Sequence, residues 1–246
     1  MKFTFAILSL AVMAAGCATN GAPLPKLVQT PPPSAARFEE AIAAFEKADR
    51  ESPPPRCATL FVGSSSIRFW RTLKEDIVNH KVINRGFGGS TIWEIDHYFD
   101  RLVAAYHPRE IVFYAGDNDL AANPPRSVDA AYADFVAFMR LKEQKLGSTP
   151  VWFISVKPSK LRWNLQPQMN ELNNKVKALA AVREDLAVID VVPAMLKPDG
   201  TPRDIFVQDD LHMTPDGYAL WTPLVNGALD AGQIAKAPGC KSTESN

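Results

Sequence analysis

The chain has 246 residues, 46% of them hydrophobic, which is enough to bury a full core in one large domain. Lys and Arg together number 27, as do Asp and Glu, so no basic surplus is available to neutralise phosphates. We therefore expect no nucleic-acid partner.

An export signal is predicted at the start of the chain. Residues 1–16 carry one Lys and an apolar stretch from Phe3 to Ala15 that is too short to span a bilayer. The stretch ends in Ala14-Ala15-Gly16-Cys17, which resembles a bacterial lipobox in which Cys17 becomes the lipidated first residue. We expect an exported protein of the periplasm or cell envelope, held to the membrane only through a lipid anchor at Cys17. Ordinary signal cleavage without lipidation is the alternative.

The next segment differs in composition from the rest. Residues 17–33 contain five prolines among small and polar residues, a composition that favours an extended tether. Residues 34–232 are predicted to form the folded domain, which starts with an amphipathic helix from Ser34 to Arg50. Residues 233–246 are interpreted as a C-terminal tail.

Short apolar runs alternate with helical patterns over the rest of the domain. The predicted strands are Ala58–Gly63, Lys81–Asn84, Glu110–Gly116, Pro150–Val156 and Leu186–Val191. The predicted helices are Ser66–Leu73, Thr91–Ala105, Val128–Lys145, Leu165–Val182, and a last one with Thr214 as N-cap and Pro215 as its first residue. Nearly all-apolar strands separated by helices predict an α/β fold with a five-stranded parallel sheet covered on both faces.

Setting Cys17 aside, two cysteines remain in what should be an oxidising compartment, Cys57 and Cys240. A disulfide between them would tie the C-terminal tail back near the first strand. Two unpaired thiols are the alternative, because sequence does not show whether the two Cα atoms approach closely enough.

Ligands bind outside the carboxyl ends of the strands in a sheet of this kind. The segments there are unusual in composition: GSSS follows the first strand, RGFGGST the second, GDND the third and KPSKLRWN the fourth, and DDLHM precedes the last helix.

A serine nucleophile needs a general base that is itself oriented by a third group. His212 is the best candidate base, because Asp209 lies three residues before it in a loop where a tight turn can aim the carboxylate at the ring. Donors for a developing oxyanion could come from the N–H of the serine, an N–H in the glycine loop and the side-chain amide of Asn118. The glycines could instead only permit a tight turn, and Asn118 could cap the next segment.

Taken together, the post-strand blocks look like those of the SGNH (GDSL) hydrolase family. They are Phe61-Val62-Gly63-Ser64-Ser65-Ser66, Gly86-Phe87-Gly88-Gly89-Ser90-Thr91, Gly116-Asp117-Asn118-Asp119 and Asp209-Asp210-Leu211-His212. The resemblance implies a flavodoxin-like three-layer α/β/α fold and a serine esterase without a metal or organic cofactor.

Carried over residue by residue, the resemblance assigns each family role to one position. The nucleophile falls on Ser65, the glycine donor on Gly89, the amide donor on Asn118, and the acid and base on Asp209 and His212. Ser64 stands where the family commonly has Asp, so the chain departs there from the motif that names the family, which puts the local hydrogen bonding in doubt.

We expect a serine ester hydrolase that works through an acyl-enzyme on short-chain or acetyl esters of small molecules or polysaccharides. A thioester is another possible bond. The rival hypothesis is a non-catalytic surface lipoprotein that binds a carbohydrate or acyl ligand in the same cleft. Phe87, Trp93, Arg162 and Trp163 are expected to rim the pocket, although the two tryptophans could instead be core residues.

Overall fold

A computed structural model of the chain describes residues 21–27 and 36–232. A sheet of five parallel strands in the order β2-β1-β3-β4-β5 forms its centre. The strands are β1 (Thr59–Gly63), β2 (Val82–Gly86), β3 (Glu110–Tyr114), β4 (Val151–Ile154) and β5 (Leu186–Ile189). All five predicted strands are confirmed, with only their ends shifted.

The strands form on mainly apolar segments, because both faces of this sheet are covered. The edge strand β2 also contains Asn84 and Arg85. Every residue of β1, β3 and β4 is buried. Successive side chains of a strand point to opposite faces, and in β1 Leu60 and Val62 join one core cluster while Phe61 joins the other.

Ten α-helices surround the sheet within the described ranges. They are α1 (Glu39–Glu51), α2 (Ser65–Arg68), α3 (Leu73–Asp76), α4 (Ile92–His97), α5 (Phe99–Leu102), α6 (Asp117–Leu120), α7 (Val128–Leu146), α8 (Gln166–Ala180), α9 (Val192–Met195) and α10 (Pro215–Ala231). Three-residue 3₁₀ helices lie at Ala36–Phe38, Ala104–Tyr106 and Trp163–Leu165.

The helices divide between two hydrophobic clusters, one on each face of the sheet. Helices α1, α4, α7 and α8 contribute to the first cluster, for example through Ile42 and Phe135. Helices α2, α3, α9 and α10 contribute to the second, for example through Ile67 and Trp221. This confirms the predicted three-layer α/β/α architecture.

Two helical predictions need correction. The predicted helix Thr91–Ala105 is broken into α4, α5 and a 3₁₀ turn, with Tyr98 buried at the first break. The predicted helix Ser66–Leu73 shrinks to the single turn of α2, after which the chain turns to bury Trp70.

Part of the predicted tether also behaves differently from the expectation. Residues 21–27 lie against the domain, where the Ala22 N–H donates to the Val182 carbonyl at 2.9 Å and the Arg140 side chain donates to the Leu27 carbonyl at 3.2 Å. Leu24 and Leu27 pack on the first core cluster, which explains why a proline-containing segment is held. The signal segment 1–16, Cys17, Ser34, most of the predicted tether and the tail 233–246 lie outside the described residues.

None of the helices in the described part of the chain has both the length and the hydropathy needed to cross a bilayer.

The strand order determines where a ligand can bind. From β1 the chain moves to β2 on one side, and it then returns to β3 on the other side of β1. Such a reversal opens a crevice at the carboxyl ends of the two central strands. The segments that follow β1 and β3 therefore flank the expected site.

Candidate active site

Ser65 lies at the carboxyl end of β1, as the first residue of α2. Its residue surface is 8% exposed. The preceding residue, Ser64, donates its N–H to the Tyr114 carbonyl at the end of β3, at 3.0 Å. Ser65 is thereby held at the reversal point between β1 and β3.

The glycine loop after β2 passes directly beside this serine. The Phe87 N–H donates to the Gly63 carbonyl at 2.9 Å. A Cβ atom placed on Gly88 would lie 3.8 Å from the Ser65 Cβ. The loop continues into Gly89, which has a positive φ of 82°.

Two carboxylates anchor the far end of the glycine loop. Glu94 accepts the N–H of Thr91 at 2.9 Å in a capping box at the start of α4. Asp119 accepts the N–H of Ile92 at 3.1 Å. Burial, reinforced by the charge of Asp134, raises the pKa of Asp119 to about 8. Through the hydrogen bond from Ile92 to Asp119, the segment after β3 holds the end of the loop after β2.

Asn118 connects the same two segments through its side chain. Its Nδ2 donates to the Ser90 carbonyl at 2.9 Å, which leaves one of the two amide hydrogens for a ligand. Its Oδ1 accepts from the Arg162 guanidinium at 3.0 Å. The N-cap of α6 is Gly116, so the alternative that Asn118 caps the next segment is wrong.

Asp209 and His212 form a close pair in the loop before α10. The Asp209 Oδ2 lies 2.5 Å from the His212 Nδ1, and its Oδ1 accepts the N–H groups of Leu211 and His212, both at 2.9 Å. Partial burial raises the pKa of Asp209, but the hydrogen bonds from the His212 ring and from the two N–H groups outweigh it and lower the pKa to about 2. Asp209 is therefore ionised at neutral pH.

Backbone contacts between the two ends of this loop fix its geometry. Phe206 and Met213 form an antiparallel bridge, and the Val207 N–H donates to the His212 carbonyl at 2.8 Å. Asp210 adopts a positive φ of 55° at the tip of the loop. The turn places the Asp209 carboxylate beside the ring of His212, three residues later in the chain, as the spacing predicts.

Phe69 connects the loop that carries the candidate base His212, here called the base loop (residues 207–212), to the segment that carries Ser65. The Phe69 ring packs edge-on against the His212 ring, with centroids 4.9 Å apart. The Phe69 N–H donates to the Ser65 carbonyl at 2.8 Å, one helical turn away. Among the described residues, no hydrogen bond joins the Ser65 hydroxyl to the His212 ring. In free enzymes, catalytic hydrogen bonds are often long and tighten only when substrate is bound.

Sequence reasoning missed the supporting role of the segment after β4. Lys157, 1% exposed, donates to the Leu211 carbonyl at 2.8 Å, and the Leu161 N–H donates to the Asp210 carbonyl at 3.0 Å. The signal is the cluster of cations in KPSKLRWN at the carboxyl end of a strand, of which only Arg162 is given a predicted place, at the pocket rim. The structure places Arg162 against Asn118 and Asp117.

The aromatic residues expected to rim the pocket differ in their exposure and in what they contact. Phe87 is 2% exposed and packs against Phe38, so its assignment to the rim is wrong. Trp93 stacks on His97 and packs against the first core cluster. Trp163 is 37% exposed and lines a cavity of about 670 Å³ at the carboxyl edge of the sheet, together with Gln166, Asn170 and Leu196 among others.

A larger cavity, of about 1270 Å³, lies at the opposite edge of the sheet. Cys57, His107 and Thr149, which precede β1, β3 and β4, are among its lining residues. It is therefore separate from the segments that carry Ser65 and His212. No cluster of His, Cys, Asp and Glu within the described ranges is arranged to hold a metal ion.

The chain is similar in sequence to a known protein family. The model of the GDSL-like Lipase/Acylhydrolase family matches residues 57–220. A search of curated proteins gave no match.

Several solved structures share the fold. A GDSL-like lipase from Bacteroides thetaiotaomicron VPI-5482 aligns with a TM-score of 0.65 and 20% identity, over 80% of this chain and 98% of that chain. A carbohydrate esterase family 3 protein from Talaromyces cellulolyticus aligns with a TM-score of 0.57 and 15% identity, over 70% of this chain and 95% of that chain. An acetyl xylan esterase, AlAXEase, aligns with a TM-score of 0.59 and 16% identity, over 70% and 98%.

The family match covers well over half of the chain and includes all four blocks that converge at the carboxyl edge of the sheet. The chain therefore belongs to the GDSL-like lipase/acylhydrolase family of hydrolases.

Proposed function

We propose that this hydrolase cleaves short-chain or acetyl esters through an acyl-enzyme formed on Ser65. The observation that carries the proposal is the Asp209–His212 pair, 2.5 Å apart, in a loop whose histidine packs on Phe69, one helical turn from Ser65. A serine beside an oriented histidine is the arrangement that nucleophilic acyl transfer requires.

In the proposed reaction, the Ser65 Oγ attacks the acyl carbon and His212 takes the hydroxyl proton. Asp209 faces the Nδ1 of the ring, which leaves Nε2 for the serine. The tetrahedral intermediate collapses as the alcohol leaves with the proton from His212. Water, activated by the same histidine, then attacks the acyl-enzyme and releases the acid.

The negative oxygen of both tetrahedral intermediates needs donors that are already in place. We assign this role to the N–H groups of Ser65 and Gly89 and to the free hydrogen of the Asn118 amide. The first N–H groups of a helix have no partner within it, and Ser65 is the first residue of α2. Removal of one such donor typically lowers the rate by about 10²- to 10³-fold.

The substrate class rests on the surroundings of the site. The exposed ring of Trp163, the residue after Arg162, and the amides that line the same cavity at the carboxyl edge offer an aromatic face and polar groups that suit a sugar. Two structural neighbours are named as a carbohydrate esterase and an acetyl xylan esterase, which supports an acetylated carbohydrate as substrate. Turnover of p-nitrophenyl esters should accordingly fall as the acyl chain lengthens beyond a few carbons.

The test of the catalytic assignment is Ser65→Ala, with Ser66→Ala as the matched control on the same helix. Ser65→Ala should keep the folded circular dichroism spectrum and lose turnover of p-nitrophenyl acetate by about 10³-fold or more. Ser66→Ala should stay within a few-fold of the wild type. Full activity in Ser65→Ala would falsify the assignment.

The same variants distinguish the proposed enzyme from the rival hypothesis, a non-catalytic binding protein. An activated serine reacts quickly with a fluorophosphonate, whereas an unactivated one does not. Wild type and Ser66→Ala should be labelled, and Ser65→Ala should not. A wild-type protein that resists labelling and binds sugars without turnover would favour the rival.

The location in the cell remains a proposal as well. We propose export to the periplasm or cell envelope with a lipid on Cys17, on the strength of the apolar segment and the small residues before that cysteine.

A further inference from the structure

Arg162 lies behind the amide donor of the proposed oxyanion site. One guanidinium nitrogen donates to the Asn118 Oδ1 at 3.0 Å, and the other terminal nitrogen lies 2.9 Å from the Asp117 Oδ2. The Arg162 side chain is 16% exposed and that of Asp117 is 5% exposed. The guanidinium is therefore largely removed from water and held between two neighbouring residues.

This contact fixes which way the Asn118 amide points. The Oδ1 accepts from a cation on one side, and the Nδ2 donates to the Ser90 carbonyl on the other, at 2.9 Å. A flipped amide would set its NH₂ group against the guanidinium donors and its oxygen against the carbonyl oxygen. Both contacts thus favour the one orientation that presents an N–H to the site.

The same contact changes the strength of the donor. A hydrogen bond from a charged group withdraws electron density from the amide oxygen and makes the amide N–H a better donor. Arg keeps its charge at any working pH. Asp117 balances that charge across an ion pair of 2.9 Å.

We propose that Arg162 is a positioning residue that orients and polarises the Asn118 amide for the oxyanion. The inference rests on the proposed function, because it acts only if Asn118 binds a developing negative charge. Arg162 itself need not touch the substrate.

The test is a double-mutant cycle on p-nitrophenyl acetate turnover. Asn118→Ala should lower kcat by about 10²- to 10³-fold. Arg162→Ala should lower kcat less, by about 10- to 100-fold, with KM changed little. The double variant should match Asn118→Ala within about threefold, since Arg162 has nothing to act through once the amide is gone.

Two further variants separate positioning from stability. Arg162→Lys should resemble Arg162→Ala in kcat, because a single ammonium cannot serve Asn118 and Asp117 as a planar fork does. Arg85→Ala is the matched control: Arg85 is similarly buried and ion-paired, but its guanidinium contacts Asp49 and Tyr106, neither of which carries a proposed catalytic group. Arg85→Ala should lower the melting temperature and leave kcat and KM near wild type.

Three outcomes would overturn the inference. Additive losses in the double variant would mean that Arg162 acts independently of Asn118. A raised KM with unchanged kcat would mean that it binds the ground-state substrate. If Arg162→Ala does not fold, Arg162→Lys takes its place in the cycle, and full activity in that variant counts against the proposal. A wild-type enzyme without Ser65-dependent turnover would instead defeat the proposed function.

Discussion

Gly86, at the end of β2, and Gly89, in the loop that follows, are required for different reasons. A Cβ atom on Gly86 would lie 2.2 Å from the backbone nitrogen of Arg68, so Gly86 allows β2 to pass close to α2. Gly89 has open space around the Cβ position but a φ of +82°. Backbone geometry therefore accounts for both glycines, and the role of the Gly89 N–H as a donor stays a prediction.

This difference predicts a specific effect of Gly89→Ala. Alanine in the left-handed region costs about 1–2 kcal/mol, and relief of that strain would rotate the adjoining peptide groups. We expect turnover of p-nitrophenyl acetate to fall at least tenfold, because the Gly89 N–H would no longer point at the oxyanion. Steady-state kinetics and thermal unfolding of the same preparation measure both effects.

Gly147→Ala provides the control for backbone strain. Gly147 ends α7 with a φ of +60° and also has no atom within 4 Å of a built Cβ. It should lose at least as much stability as Gly89→Ala and retain full activity. An equal loss of activity in the two variants would show that strain alone, and not the donor, explains the Gly89 result.

Ser64 shows the local consequence of the departure from the family motif. Its Oγ is buried without a hydrogen-bond partner among the described residues. Its backbone is nonetheless well held, since the N–H donates to Tyr114 and the carbonyl accepts from Ile67 and Arg68. The chain thus keeps the shape of the turn by backbone contacts where the family commonly has a carboxylate.

At the scale of elements, the segment after β4 joins the base loop to the amide donor. Lys157 and Leu161 bind carbonyl oxygens of the base loop, and Arg162 binds Asn118. These contacts come from one short stretch of chain at the carboxyl end of a buried strand. Its rigidity should therefore determine how well the catalytic groups are aligned.

Lys157 predicts a pH dependence of stability. Burial lowers its pKa to about 8, against the attraction of Asp117 and Asp209. Between about pH 8 and the unfolded value of 10.5 the unfolded chain holds this proton and the folded chain does not. The contribution of Lys157 to the free energy of unfolding should therefore rise across that window and stay constant below it.

Urea titrations of wild type and Lys157→Met from pH 7 to 10.5 measure the contribution of Lys157 to the free energy of unfolding. The difference in unfolding free energy, wild type minus variant, should increase above about pH 8. Lys160→Met, three residues away with a pKa raised by Asp204, should show no such increase. Parallel pH curves for wild type and Lys157→Met would contradict the prediction.

The sequence predicts those elements that depend on residues close together in the chain. Short, mainly apolar runs predict all five strands, and Thr214-Pro215 predicts the start of α10, where the structure places the N-cap and first residue. The Asp209-to-His212 spacing likewise reflects a contact within one turn.

Contacts between distant segments were not predictable in the same way. Arg162 lies 44 residues from Asn118, and Lys157 lies 54 from Leu211, so nothing local couples them. The break of the predicted helix Thr91–Ala105 depends on burial of Tyr98 against other elements. Such features follow from tertiary packing, which overrides helical periodicity.

At the scale of the whole molecule, the two edges of the sheet differ in what they carry. The carboxyl edge gathers the proposed catalytic groups. At the amino edge, Cys57 precedes β1 and is disulfide-bonded. Cys240, its predicted partner, lies outside the described residues.

The end of α10 lies at the same edge as Cys57. Asp230 is 3.1 Å from the His80 ring, and His80 lies two residues before the start of β2, which pairs with β1 at Thr59. The eight residues from Gly232 to Cys240 can reach at most about 28 Å. We therefore propose that Cys240 is the partner of Cys57, rather than Cys17.

Cys240→Ser should then expose one new thiol, on Cys57, when the unreduced, unfolded protein is titrated with a thiol reagent. The loss of the cross-link should lower the free energy of unfolding by about 2–4 kcal/mol, because it frees the unfolded chain. Esterase activity at a temperature where the variant stays folded should be unchanged, since the cross-link lies at the edge opposite Ser65. Cys17→Ser is the control, and should leave the state of Cys57 as it is. If Cys17→Ser exposes the Cys57 thiol and Cys240→Ser does not, the C-terminal segment is not tied to this edge, and the N-terminal cysteine serves as the cross-link instead of as a lipid anchor.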